Sequence, residues 1–278
     1  MKKRLIIFFG LMVILGFSLQ SLAQFTKEEV ADRDKWEEFL KTAEIVKQEQ
    51  PFSEREAVTQ PWVLTLEKEG VTNKALWKNP EGRMKGFIEN WKWEIAAYRL
   101  DKYLGLNMVP PTVERRFQGN RGSCQLWVES MMSLKKKVED NIKTPSYKIG
   151  YWNRALYLQR AFDNLIANED RHQNQYLITK DWRMILIDHS RTFRTSKKFT
   201  NKLIYDEKYK EGPTFIMKEL PRAFYEKIKS LNAEAIKNAV GEYLTEEEIE
   251  AVLARKDLIV KWVEDRIKKM GEDNVLYD

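Results

Sequence analysis

The sequence predicts an α+β protein built as two lobes with a cleft between them. Short runs of alternating apolar residues dominate positions 60–129, a 3.6-residue periodicity dominates beyond 150, and one amphipathic helix is embedded in the strand-rich half. Strands grouped ahead of helices segregate into layers rather than alternating βα units, and the junction between two such layers is where a ligand cleft forms.

The elements follow in chain order. Residues 1–23 read as a secretory leader: Lys2, Lys3 and Arg4 supply the positive start, 5–19 the apolar run, and Ser21-Leu22-Ala23 a cleavage site between small residues. The apolar run is shorter than the roughly 20 residues that span a bilayer, so cleavage is expected rather than a membrane anchor. No cysteine follows to accept a lipid, and export to a periplasm or beyond the cell is the expected outcome. A segment at 24–50 follows, with Thr26 and Glu29 forming a capping box before a polar amphipathic helix that runs to about Gln48.

From Pro61 the pattern becomes strand-like, with runs at 62–67 and 75–78 joined by a turn at 69–72. Trp93, Ala96, Ala97, Leu100 and Leu104 mark one face of a helix over 90–104, ended by Gly105, with Glu94 flanking that face. A second strand pair, 112–116 and 122–129, turns at Gln118-Gly119-Asn120. The helix at 151–167 leads into a polar cluster at 168–175, and two short strands, 176–179 and 184–188, follow. A basic connection at 190–216, a helix at 219–231 broken at Pro221, and a helical region capped by Thr245 and Glu248 complete the chain.

Composition removes several functional classes. The net charge of +6 falls to +3 once Lys2, Lys3 and Arg4 leave with the leader, and no basic stripe interleaves with the aromatic residues, so nucleic acid is not an expected partner. Two histidines and one cysteine, Cys124 in an apolar run, supply neither a zinc cluster nor a nucleophile–histidine pair. Both histidines fall instead in two polar segments, 168–175 and 187–191, each carrying an aspartate. Asp170 follows a helix and Asp188 ends a strand, and the intervening strand pair returns the chain so that the two converge. Phosphoryl transfer needs such a pair: one carboxylate orients or deprotonates the attacking hydroxyl, and another holds the metal ion that neutralises the triphosphate.

Asn168-x-Asp170-Arg171-His172 followed by Leu186-Ile187-Asp188-His189-Ser190-Arg191-Thr192-Phe193 resembles the catalytic loop and metal-binding strand end of an atypical kinase superfamily. That superfamily includes the phosphatidylinositol 3- and 4-kinases, the HipA-like kinases, and the Golgi casein kinase and four-jointed secretory kinases. Glu94-Ile95-Ala96-Ala97-Tyr98-Arg99-Leu100-Asp101, Leu104-Gly105-Leu106-Asn107 and Val109-Pro110-Pro111 resemble the Golgi casein kinase and four-jointed group, and the likeness spans 60–195.

The resemblance implies a protein-kinase-like fold with an N-lobe over 51–129 and a C-lobe over 130–278. It implies ATP with Mg²⁺ or Mn²⁺ as cofactors, and a hydroxyl of a protein, glycan or lipid as acceptor. By position, Asp170 is the base, within a catalytic loop that includes Arg171 and His172, and Asp188 is the main metal ligand. Gln175, beside Asn174, stands where the superfamily places an asparagine metal ligand. Lys78 is the contact to the α- and β-phosphates, Glu94 its partner, Gly70 and Thr72 the cover over the phosphates, and Val128 and Glu129 the segment facing adenine. No G-x-G-x-x-G loop is present. Gln175 keeps two other readings open: a pseudokinase that binds nucleotide or scaffolds a partner, and transfer of AMP from the same cradle.

Overall fold

The computed structural model describes residues 25–52, 59–205 and 217–278. The expected leader and part of the basic connection lie outside the described residues. The chain enters through helices α1 (Lys27–Ala31) and α2 (Arg33–Thr42) and strand β1 (Glu44–Glu49), and the Thr26/Glu29 capping box is in place. The helix expected to reach Gln48 therefore stops at Thr42. Ala43 turns to an extended conformation, and Glu44–Glu49 pairs antiparallel with the next strand. Pairing along a strand overrides the helical preference of its Glu, Lys and Gln residues.

Strands β2 (Trp62–Lys68), β3 (Val71–Lys78), β4 (Glu81–Met84) and β5 (Phe87–Asn90) precede helix α3 (Trp91–Leu104), and β6 (Thr112–Phe117) and β7 (Asn120–Leu126) follow it. Three hairpins close through two-residue turns, Glu69-Gly70, Lys85-Gly86 and Gln118-Gly119, in which both residues have positive φ. That is the type I′ turn, whose twist matches the flanking strands and which favours glycine at its second position. The main sheet has the order β1-β2-β3-β7-β6, antiparallel throughout, while β4 and β5 form a separate hairpin. Helix α2 covers the main sheet through Phe39 and Leu40, which pack with Leu64, Leu66, Trp77 and Phe117.

Trp127 to Met131 connect this sheet to β8 (Met132–Ser133), which pairs with β9 (Tyr176–Ile178) and through it with β10 (Met184–Leu186). Between β8 and β9 lie α4 (Leu134–Glu139) and α5 (Ile149–Ile166), and after β10 comes α6 (Lys197–Thr200). Strand β11 (Leu220–Pro221) leads into α7 (Arg222–Ser230), α8 (Ala233–Val240), α9 (Glu246–Met270) and β12 (Leu276–Tyr277). The helix expected over 219–231 starts only after Pro221, because Leu220 and Pro221 pair with Leu276 and Tyr277. Helix α9 packs against α5, α6, α7 and α8.

Helix α3 touches β6 and β7 on one side and α7 and α8 on another, so Ile95, Ala96, Tyr98 and Leu100 enter the same core as Phe162, Leu165, Val252 and Ile259. Of these, Ile95, Leu100, Phe162, Leu165, Val252 and Ile259 each contribute about 1.5–3 kcal/mol by leaving water. Among the described residues, no helix is long and apolar enough to cross a membrane.

Candidate active site

Lys78 ends β3 and is 6% exposed. Its strand end is gripped by β7: Ser123 pairs with Lys78, and Gly122 lies so near that a Cβ there would sit 2.7 Å from the Lys78 carbonyl oxygen and the Trp77 indole. The ammonium lies 2.5 Å from Glu94 Oε1 on α3 and 2.7 Å from Asp188 Oδ1, two residues beyond β10. Burial opposes ionisation in all three groups, yet mutual attraction prevails: the Lys78 pKa is raised and those of Asp188 and Glu94 are lowered. All three are therefore charged at neutral pH.

Asp188 has φ +62, a left-handed conformation that aspartate tolerates better than most residues. Its carboxylate thereby turns back toward Lys78. Ser190 Oγ donates to Glu89 Oε2 at 2.6 Å and lies 3.2 Å from Asp188 Oδ1. Glu89 belongs to the β4–β5 hairpin and is 1% exposed.

Asp170 arrives from the loop after α5. Ala167 (φ +50) ends that helix in a left-handed conformation, and Asn168 braces the loop by accepting from the Asp170 amide and donating to Asp163. The Asp170 carboxylate stands 3.1 Å from Arg191 Nη1. Gln175 Nε2 reaches both carboxylates, at 3.5 Å from Asp170 Oδ2 and 3.2 Å from Asp188 Oδ2, while its Oε1 accepts from the His172 amide. Asp170 and Asp188 thus converge on one amide nitrogen.

The other members of the expected catalytic loop point elsewhere. Arg171 is fully buried, paired through two nitrogens with Asp163, and donates to the Ile187 carbonyl at 2.7 Å. It is a brace between loop and strand rather than a group facing a substrate. His172 and Asn174 are exposed, with the His172 ring accepting from the Asn174 amide to cap the short turn at Gln173–Gln175.

Gly70 and Thr72 are likewise outside the cluster. They sit at the β2–β3 turn, and the six residues from Thr72 to Lys78 along an extended strand amount to about 20 Å. Val128 and Glu129 lie in the connection to β8 and line a cavity of about 700 Å³ with Trp36, Trp127 and Arg183; Lys78, Asp170 and Asp188 do not line it.

Four residues outside the sequence-based site list complete the arrangement: Glu89, Asp163, His189 and Arg191. His189 is fully buried, its Nε2 lying 2.8 Å from Arg171 Nη2 and its Nδ1 3.8 Å from Glu94 Oε2. A guanidinium only donates, so Nε2 accepts and the ring proton resides on Nδ1, facing Glu94. Burial and the Arg171 charge lower the His189 pKa and keep the ring neutral. Lys78, Glu94, His189, Arg171 and Asp163 consequently form one buried chain from β3 to α5. A further buried side chain, Arg255 of α9, donates to the carbonyls of Leu165 at 2.8 Å and Arg194 at 2.7 Å, tying together the segments that carry Asp170 and Asp188.

Asp163 did leave a sequence signal, because with Gln159 it interrupts the apolar face of α5. Arg191 stands in the polar segment already singled out, and the β4–β5 hairpin carrying Glu89 has its own Lys85-Gly86 turn. What joins them is visible only in three dimensions.

The architecture can be set beside known proteins. No family model and no curated protein sequence matches the chain. The structure of hydra Fam20 with sugar superposes with a TM-score of 0.66 over 92% of this chain and 95% of the other, at 16% identity. This chain has an atypical kinase-like fold. The Golgi casein kinase with Mn/ADP bound gives a TM-score of 0.61 at 17% identity, over 92% of this chain and 80% of the other. A further Golgi casein kinase structure gives 0.59 at 17% identity, over 88% and 79%. In this kinase-like fold Lys78, at the end of a strand of the main sheet, meets Asp188, which follows β10.

The donors fit a hard divalent cation held jointly with a nucleotide. Among the described residues no group of three or more His, Cys, Asp and Glu side chains could hold a metal ion. A magnesium-like ion bound with substrate phosphates needs only one or two carboxylates, and Asp170 and Asp188 already converge on the Gln175 amide.

Proposed function

We propose that the chain is an exported, ATP-dependent phosphotransferase that moves a γ-phosphoryl group to a hydroxyl acceptor. The observation that carries this reading is the Lys78 ammonium between Glu94 and Asp188, with Asp170 linked to Asp188 through Gln175. Lysine, helix glutamate, metal-binding aspartate and hydroxyl-orienting aspartate are the parts that kinase-type transfer requires. The leader at 1–23 supports export, and the fold shared with the Golgi casein kinase is consistent with it.

In this mechanism Lys78, aimed by Glu94, would hold the α- and β-phosphates, and Asp188 would hold a divalent metal ion. That ion, when bound, supplies positive charge to the triphosphate. Asp170 accepts a hydrogen bond from the acceptor hydroxyl and takes its proton as the oxygen attacks the γ-phosphorus. The bond from that phosphorus to the bridging oxygen breaks, and ADP retains the electron pair. Arg171 and Asp163 hold the loop behind Asp170. A groove of about 630 Å³, lined by Phe87, Trp93, Glu169, Arg194 and Phe199, touches the Asp170 loop at Glu169 and is the proposed place of the acceptor. The connection through Val128 and Glu129 remains the proposed neighbour of adenine, by way of backbone groups.

Purified chain lacking residues 1–23 is expected to convert ATP to ADP with Mg²⁺ or Mn²⁺ and to phosphorylate an added acceptor. Asp188→Ala should abolish turnover, and equal turnover by that variant would refute the mechanism. Gln175 favours a second reading, a nucleotide-binding pseudokinase, because its amide nitrogen faces the carboxylates while its oxygen is engaged by the His172 amide. Metal-dependent ATP binding with no phosphate transfer would select that reading. Mass analysis of labelled acceptors separates phosphate from AMP transfer.

A further inference from the structure

Arg191 has a place in the site that the mechanism above leaves unused. Its Nε donates to Glu89 Oε1 at 2.6 Å, its Nη1 stands 3.1 Å from Asp170 Oδ2, and its guanidinium lies 4.2 Å from the centre of the Phe87 ring. The two carboxylates it touches are unlike. The Glu89 side chain is 1% exposed and receives Ser190 Oγ on its other oxygen, so it is immobile. The Asp170 side chain is 30% exposed and, among the described residues, receives only the long contact from Gln175 besides Arg191. One end of the guanidinium is thus anchored and the other rests on a group with work to do.

Charge gives that contrast a direction. Lys78 with Glu94 and Asp188 carries one net negative charge, and so does Arg191 with Glu89 and Asp170. The cluster is therefore short of two positive charges, the amount one divalent cation brings. A cation between Asp170 and Asp188 would stand close to Arg191 and repel it, and Glu89 and the Phe87 face offer it a place to withdraw to.

We propose that Arg191 is a resident counter-ion of Asp170, drawn back onto Glu89 when metal and nucleotide enter the cleft. It is a positioning residue, because it sets where the Asp170 carboxylate points before metal and nucleotide enter, without touching the reacting atoms. The proposal rests on the phosphotransferase reading, since it presumes a metal ion at Asp170 and Asp188.

Calorimetric titration with Mn²⁺, in the presence of a non-hydrolysable ATP analogue, tests both readings separately. The proteins are the wild type, Arg191→Gln, Arg191→Ala, Arg191→Lys and Glu89→Gln, each with its Tm recorded. Loss of the Arg191 charge should tighten Mn²⁺ binding by about tenfold, because a repelling cation is gone. Arg191→Lys should bind Mn²⁺ as the wild type does. Glu89→Gln should weaken binding, since Arg191 then leans wholly on Asp170.

A structural role alone would lower Tm and weaken Mn²⁺ binding in the arginine variants. Unchanged or weaker binding in a folded Arg191→Gln protein overturns the counter-ion proposal and leaves the phosphotransferase reading standing. Failure of the wild type to bind Mn²⁺ with the analogue overturns both.

Discussion

Lys78 works by being outnumbered. With Glu94 and Asp188 each within hydrogen-bond range, its removal leaves two carboxylates facing one another. Lys78→Met should weaken binding of an ATP analogue by about tenfold or more, measured by calorimetry, and should move the pH of greatest stability toward acid. The Asp188 pKa is lowered in the fold, so its stabilising contribution is complete above the ordinary aspartate value and is lost as pH falls through the lowered one. The Lys78 pKa is raised, so its contribution is complete below the ordinary lysine value and is lost as pH rises through the raised one. Wild-type stability from this pair is therefore level from about pH 5 to 9. In Lys78→Met the charge that opposes the effect of burial on the Asp188 and Glu94 carboxyls is gone, so denaturant unfolding across pH should show the acid limb shrink and a loss of stability appear as pH rises through the carboxylate range.

At the scale of elements, two glycines separate backbone conformation from close approach. Gly105 ends α3 with φ +75, so Gly105→Ala should cost about 1 kcal/mol and leave nucleotide affinity unchanged. Gly122 sits in ordinary strand geometry but touches Trp77 and the Lys78 carbonyl, so Gly122→Ala should cost about 1–3 kcal/mol and also weaken nucleotide binding by shifting Lys78. Melting curves with and without ATP analogue distinguish the two.

The same contrast explains how far the elements could be read from sequence. The β2–β3 and β6–β7 hairpins, α3, α5 and the capped start of α9 all announce themselves through local periodicity, a glycine turn or a capping box. β1 does not, because its polar residues alternate poorly and become a strand only by pairing with β2. The β4–β5 hairpin has a glycine turn but no apolar alternation in Glu81–Met84. The proximity of Lys78 to Glu94 and Asp188, and of Asp170 to Asp188 across Gln175, could be anticipated, since each of these residues ends or flanks a recognisable element. The phosphate-loop role expected of Gly70 and Thr72 was misplaced because it presumed proximity to Lys78 without allowing for the length of the strand between them.

Across the whole molecule, the N-terminal helices bind the lobes from outside. Arg33 pairs with Asp101 on α3 and donates to Asn107, Lys102 meets Asp34 and Glu37, and Arg183 beside β10 pairs with Glu29. Burial pushes the Asp101 carboxyl up to about 6 despite Arg33 and two backbone amides. For an acid whose pKa is raised, stability falls as pH climbs from the unfolded value through the folded one and is flat beyond it. Arg33→Met removes the opposing charge, so it should lower Tm by about 10 °C near pH 8, with a smaller deficit at pH 5 where Asp101 is protonated.

The two carbonyls held by Arg255 have a mechanical corollary. One guanidinium spans the end of α5 and the segment after β10, which makes the loops of Asp170 and Asp188 a single rigid carriage riding on α9. Should the lobes swing apart, this carriage would travel whole, and the gap would open between Lys78 and Asp188 instead. Crystals of a nucleotide-free, opened form should show the two aspartates at their present spacing with the lysine withdrawn. Substitution of Arg255 by methionine should let the loops drift independently, seen as unequal hydrogen exchange in the two segments.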